Sequence, residues 1–187
     1  MDPVVIAVIV AVAVLVIGVV LVVVARSRSR SRRAALRSQF GGEYDRVVSE
    51  YGVRDGEREL RARLKRRREL EIRELDEGER DRFGKAWDSA QSTFVENPST
   101  GLRDADLLVQ QVMRERGYPN ERFEDRAKMI SVDHPDLVER YRASHRTVTD
   151  VEEGSAGTED MRQAMVDQRY LFDALLGGGD AARTRRM

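Results

Sequence analysis

Asp76-Glu77-Gly78-Glu79, followed by Phe83, Trp87, Ala90 and Phe94 and closed by Asn97-Pro98, is the stretch from which the fold of this chain is read. An acid at the cap and a glutamate three residues on form a capping box, because each side chain accepts from an N–H that the first turn leaves unpaired. The four apolar residues recur at spacings of four, three and four, so they share one face of a helix. Pro98 has no N–H with which to continue the ladder, and the helix stops before it. A helix with one apolar face needs other helices to cover it.

Towards the C-terminus the same pattern repeats. Leu102, Ala105, Leu108, Val109, Val112 and Met113 mark a helix that closes at Gly117. Asn120 is placed to cap a short helix with Phe123, Ala127 and Ile130 inward. Asp133 is placed to cap a longer one with Leu137, Val138, Tyr141, His145 and Val148 inward, and Thr158 a last one bearing Met161, Ala164, Met165, Leu171, Phe172 and Leu175. No segment alternates apolar and polar residues for long enough to build a sheet. The reading is therefore all-α, with residues 76–176 a small multi-helix bundle and the glycine- and arginine-rich residues 177–187 a disordered tail.

Towards the N-terminus, acids and arginines interleave from Glu57 to Leu75 on a helix whose apolar residues, Leu60, Leu64, Ile72 and Leu75, make only a thin stripe. This predicts an exposed stalk or arm. Phe40, Tyr44, Val47, Val48 and Tyr51 recur at helical spacing and predict a shorter helix from about Glu43 to Gly52. Residues 26–75 are read together as a basic neck and a charged helical arm. Before the neck, Val4 to Ala25 form a run of 22 residues without a charge or a hydrogen-bonding side chain. At about 1.5 Å per residue such a run reaches about 33 Å, enough for a hydrocarbon core roughly 30 Å thick. Backbone groups in lipid must be satisfied within the segment, so residues 1–25 are read as a transmembrane helix with a short N-terminus, although 12 of the 22 residues in the run are valine. The run is too long, and its preceding flank too acidic, for a cleaved secretory signal.

Arg26, Arg28, Arg30, Arg32 and Arg33 follow at once, and positive flanks stay on the cytoplasmic side. The reading is a single-pass cell-membrane protein with its N-terminus outside and its C-terminal body cytoplasmic. The net charge of zero hides an uneven distribution: beyond Arg37 stand 27 bases and 32 acids, a net −5 on a basic neck. Such a body is repelled by anionic lipid and by nucleic acid alike, while the neck gains about 1 kcal/mol per arginine near an anionic leaflet. The absence of cysteine excludes disulfides and thiolate chemistry.

Several phrases look familiar: Arg37-Ser38-Gln39-Phe40-Gly41, Glu43-Tyr44-Asp45, Arg116-Gly117-Tyr118-Pro119, Ser131-Val132-Asp133-His134-Pro135 and Arg162-Gln163-Ala164-Met165-Val166. In these the chain resembles an uncharacterised actinobacterial family of single-pass membrane-anchored proteins with an α-helical cytoplasmic domain. The resemblance covers nearly everything after the apolar run and implies no catalytic residue or ligand. The family wording has proline where this chain has Gly42, which bears on the local turn alone.

Candidate sites are few. His134 and His145 are the only imidazoles, and a zinc site wants three or four ligands, so no metal or cofactor is expected. No nucleophile elbow or phosphate-binding glycine loop is visible, and no catalytic residue is assigned. Phe83, Trp87, Phe94, Tyr118 and Phe123 read as core before they read as a pocket lining. Arg61, Arg63, Lys65, Arg66, Arg67 and Arg68 continue the basic theme of the neck. Arg26, Arg28, Arg30, Arg32, Arg33, Lys65, Arg66, Arg67 and Arg68 are the candidate contacts to anionic lipid. Neither patch carries aromatics for base stacking, so nucleic acid ranks below lipid, and a solvated helix face ranks above both. The function read from these features is a membrane-anchored cytoplasmic binding or scaffolding module with a protein partner. The alternatives are an accessory subunit of a larger membrane complex and a membrane-tethered enzyme.

Overall fold

The structure is a computed structural model that describes residues 18, 30–119 and 122–178. It divides the chain into two compact units, Met1–Gln39 and Phe40–Met187. In the first unit residues 30–39 are helical, with Arg30, Arg32 and Arg33 exposed. The expected span, Val4 to Ala25, lies outside the described residues except for Gly18, as do the expected cap Asn120 and the tail beyond Gly178. Among the described residues no helix is long and apolar enough to cross a membrane, and none forms a strand.

The second unit runs through α1 (Gly42–Glu69), α2 (Glu77–Glu96), α3 (Pro98–Arg116), α4 (Phe123–Asp133), α5 (Val138–Glu152) and α6 (Thr158–Asp173), with a π-helical turn at Ala174–Gly178. The expected capping box is present: Glu79 N–H donates to Asp76 Oδ1 (2.8 Å) and Asp76 N–H donates to Glu79 Oε2 (2.9 Å). Asn97 ends α2, and its side chain accepts from Thr100 N–H to open α3 behind Pro98. The corner is tight, since a Cβ on Gly101 would lie 2.3 Å from Phe94 Cα. α3 lies at the centre of the bundle, packed on α2, α5 and α6, while α5 also packs on α4 and α6. Trp87, Leu102, Val109, Met113, Ile130, Tyr141, Leu171 and Phe172 fill the shared core, and Trp87 stacks on Phe172 with ring centroids 4.7 Å apart.

Two expected caps are corrected. α5 begins at Val138 rather than at Asp133, which is instead the last residue of α4. Pro135 lies in the break, and the Asp133 carboxylate is taken by Arg67 and Tyr118, as described below. Gly157, not Thr158, caps α6, one residue earlier than expected.

The arm is the larger correction. α1 is interrupted at Gly52 (φ 77°, ψ 162°), in a region of backbone space that is essentially confined to glycine. The chain folds back there, so that Gly56 lies against the backbone of Val47 and Val48, where a Cβ would approach within 3.1 Å. The Tyr44 hydroxyl donates to Glu57 Oε1 across the hairpin (3.2 Å). Phe40, Tyr44, Val47 and Leu60 are buried, and Leu60 is fully so. The thin stripe read as an exposed stalk is thus the inner face of a helical hairpin docked on α4. The compact unit begins at Phe40, not at Asp76, and the residues expected to form a stalk belong to it. The helix expected to reach Leu75 stops at Glu69; residues 70–76 are not helical, Arg73 N–H donates to the Arg116 carbonyl (2.9 Å), and Leu75 enters the bundle core.

Candidate functional site

The hairpin is held down by charge. Glu43, in the first turn of α1, is 4% exposed and accepts from three guanidinium groups. Arg46 donates from Nε and Nη2 (2.9 and 2.8 Å), Arg63 from Nη1 (2.6 Å), and Arg142 of α5 from Nη1 and Nη2 (2.7 and 2.9 Å). Arg63 also donates to Glu59 (3.1 Å) and to Ser131 of α4 (3.2 Å). Burial alone pushes the Glu43 carboxyl up, but the hydrogen bonds from Arg46, Arg142 and Arg63 overcome it and hold it down at about 2. A carboxylate has about four lone-pair sites, and the five hydrogen bonds here fill all of them, with Oε1 shared by three donors.

A second pin lies at the end of α1. Arg67 Nε donates to both oxygens of Asp133 (2.8 and 2.6 Å), and the Tyr118 hydroxyl donates to Oδ2 of the same carboxylate (2.7 Å). Burial and the Asp133 charge push the Tyr118 phenol far up, so it remains a donor. A third polar group sits inside the bundle: Gln168 is fully buried and donates to Asp106 Oδ1 (2.8 Å), while Gln110 donates to Oδ2 (2.6 Å).

These pins divide the predicted basic cluster. Arg63 and Arg67, one helical turn apart, face inward and are consumed by Glu43, Ser131 and Asp133. Lys65, Arg66 and Arg68 are exposed; Lys65 lies 3.9 Å from Glu69 and Arg66 lies 4.0 Å from Asp125, too far for hydrogen bonds. Of the neck residues, Arg26 and Arg28 lie outside the described residues. The aromatic set divides as well, with Phe83, Trp87 and Tyr118 in the core and Phe94 packed against it. His134 caps the end of α4 through its backbone N–H.

Phe123, also packed against the core, faces a depression. This opening, of about 430 Å³, lies between the start of α4 and the middle of α5 and is lined by Arg122, Phe123, Glu124, Arg142, His145 and Arg146. Phe123 stacks on His145 with centroids 3.8 Å apart and planes 11° from parallel, and tilts against Tyr141 at 4.9 Å. Tyr141, with its phenol pushed up to about 12 by burial against the opposing pull of Arg126, accepts from Arg126 Nε (3.0 Å). Burial holds His145 below its usual range, and its Nδ1 is buried without a hydrogen-bond partner among the described residues. Among the described residues no group of three or more histidines and carboxylates is placed to hold a metal ion.

Comparison of this chain with protein-family models, with curated proteins and with solved structures finds no match. Sequence reasoning missed both the Glu43 centre and the depression. Glu43, Arg63 and Arg142 are separated by 20 and 99 residues along the chain from glutamate to each arginine, and no local spacing links them.

Proposed function

We propose that this chain is a single-pass membrane protein whose helical body works at the cytoplasmic face as a binding or scaffolding module. The observation that carries the proposal is the uncharged run from Val4 to Ala25 with five arginines in the eight residues after it. The resemblance to membrane-anchored actinobacterial proteins points the same way. The hairpin docked within the body supports the same reading: ion pairs from Glu43 and Arg67 fix it on the helices of its own unit, so that unit presents a defined surface, as a scaffold requires.

Anionic lipid is the proposed surface partner, and the contact set is narrower than the sequence suggests. Arg63 and Arg67 are engaged by acids, which leaves Arg30, Arg32, Arg33, Lys65, Arg66 and Arg68 exposed, in two separate groups. Protease added to spheroplasts tests the orientation: the body stays intact until the membrane is permeabilised, and its digestion beforehand would place it on the other side. Vesicle flotation tests the lipid contact. Binding to acidic vesicles should fall as salt rises, and equal binding to neutral vesicles would remove the electrostatic basis.

A further inference from the structure

We propose that the depression between α4 and α5 is a binding site for a small phosphate monoester carrying a hydroxyl group, held by Arg122 and Arg146 and bordered by Arg142 and His145. The inference does not depend on membrane attachment.

The first argument is donor availability. Arg122 and Arg146 stand on opposite elements of the rim, 82% and 65% exposed in their side chains. Their nearest acids, Asp125 at 3.7 Å and Glu139 at 3.9 Å, are beyond hydrogen-bond distance and do not line the opening. Both guanidinium groups therefore keep N–H donors for an incoming anion. Most other arginines that cross between elements of the unit are already committed: Arg63, Arg67, Arg73, Arg140 and Arg142 each donate to a carboxylate at 2.9 Å or less.

The second argument is preorganisation. Arg142 reaches the wall of the depression with its guanidinium clamped bidentately on the buried Glu43, so it holds its place without reordering. The Phe123 and His145 rings, stacked at 3.8 Å and backed by Tyr141, form a rigid floor.

The third argument is composition. The guanidinium groups of Arg122 and Arg146 together offer more donors than the two oxygens of a carboxylate can accept, whereas a phosphate monoester presents three oxygens and up to two charges. The single acid of the lining, Glu124, disfavours a bare polyanion but accepts from a hydroxyl, which selects a phosphorylated alcohol or sugar over pyrophosphate. A volume of about 430 Å³ takes such a molecule with room for a short carbon chain. The same group occurs free in solution and as the headgroup of an acidic lipid.

The test uses the full purified chain, titrated calorimetrically with glycerol phosphate and with chloride at constant ionic strength. Glycerol phosphate should bind saturably at one site and shift the imidazole NMR signals of His145, and chloride should not. The double variant Arg122→Ala, Arg146→Ala, whose positions are exposed, should retain wild-type helicity and weaken binding at least tenfold. Arg114→Ala, an exposed arginine on α3, should leave it unchanged. Binding of phosphatidic acid vesicles, but not of free glycerol phosphate, that also falls tenfold in the double variant would identify the lipid headgroup as the source and uphold the site. No saturable binding of either form, or an equal loss in Arg114→Ala, would overturn it.

Discussion

Leu60 in the hairpin and Leu171 in the bundle are buried to the same degree, yet their surroundings differ. Leu171 belongs to an apolar core with two dozen buried members drawn from several helices, where Trp87 and Phe172 stack and few polar atoms intrude. Leu60 has a handful of buried apolar neighbours on its own hairpin, and the hairpin meets the bundle through Glu43, Arg63, Arg67, Arg142 and Asp133. Apolar burial holds the bundle in every direction at about 25 cal/mol per Å², whereas the hairpin depends on a few directional bonds whose loss leaves charges stranded in low dielectric. The difference teaches that one chain can use a forgiving core and an exacting seam side by side. Exchanging similar apolar residues should be tolerated in the first, and almost nothing in the second.

The largest expected effect comes from Trp87→Ala. The ring is 1% exposed and stacked on Phe172, so its removal should cost about 3–5 kcal/mol and lower the denaturant midpoint of the whole unit. A loss confined to the hairpin would break the comparison. Glu43→Gln comes next, at about 3 kcal/mol, because two buried guanidinium groups lose their shared charge while Glu59 and Glu139 still shield them in part. Hydrogen exchange should show the hairpin opening with the bundle protected. Acid should act in the same way. The Glu43 pKa is depressed from about 4.5 to about 2, so its contribution is complete above the unfolded value and is lost as pH falls between those limits. Hairpin protection that does not change from pH 5 to pH 2 would contradict this linkage.

Smaller effects sharpen the boundary between the two regions. Gly52→Ala forces a side chain into the backbone conformation at φ 77° and should cost about 2 kcal/mol, read as faster exchange in residues 42–69 alone. Asp76→Ala removes one side of the capping box and should cost about 1 kcal/mol, seen as fraying of the first turn of α2 without loosening of the hairpin.

What was legible in the sequence follows the same division. The faces of α2 and α3, the capping box and the ends at Asn97 and Gly117 could be read because a helix writes its period and its caps locally. The break at Gly52 was legible for the same reason. The docking of the hairpin was not, because Leu60 and Leu64 make too thin a stripe to announce burial, and an arginine reads as exposed until its partner is known. Asp133 looked like a cap because acids often are, but its carboxylate was claimed by Arg67, 66 residues away. The depression left no trace in the sequence, since Arg122, Arg142 and Arg146 are three arginines among thirty.

The bond from Arg142 to Glu43 also sets an order of events during synthesis. The carboxylate leaves the ribosome 99 residues before the guanidinium that clamps it, an interval of about 5–20 s at ordinary elongation rates. During that interval Arg46 and Arg63 are the only guanidinium groups of the final cluster available to it, so the hairpin can close on itself and, once α4 has been made, on Ser131 and Asp133, but not on α5. A ribosome paused before Arg142 would therefore hold a chain whose seam lacks its α5 half, with Glu43 still unclamped from that side.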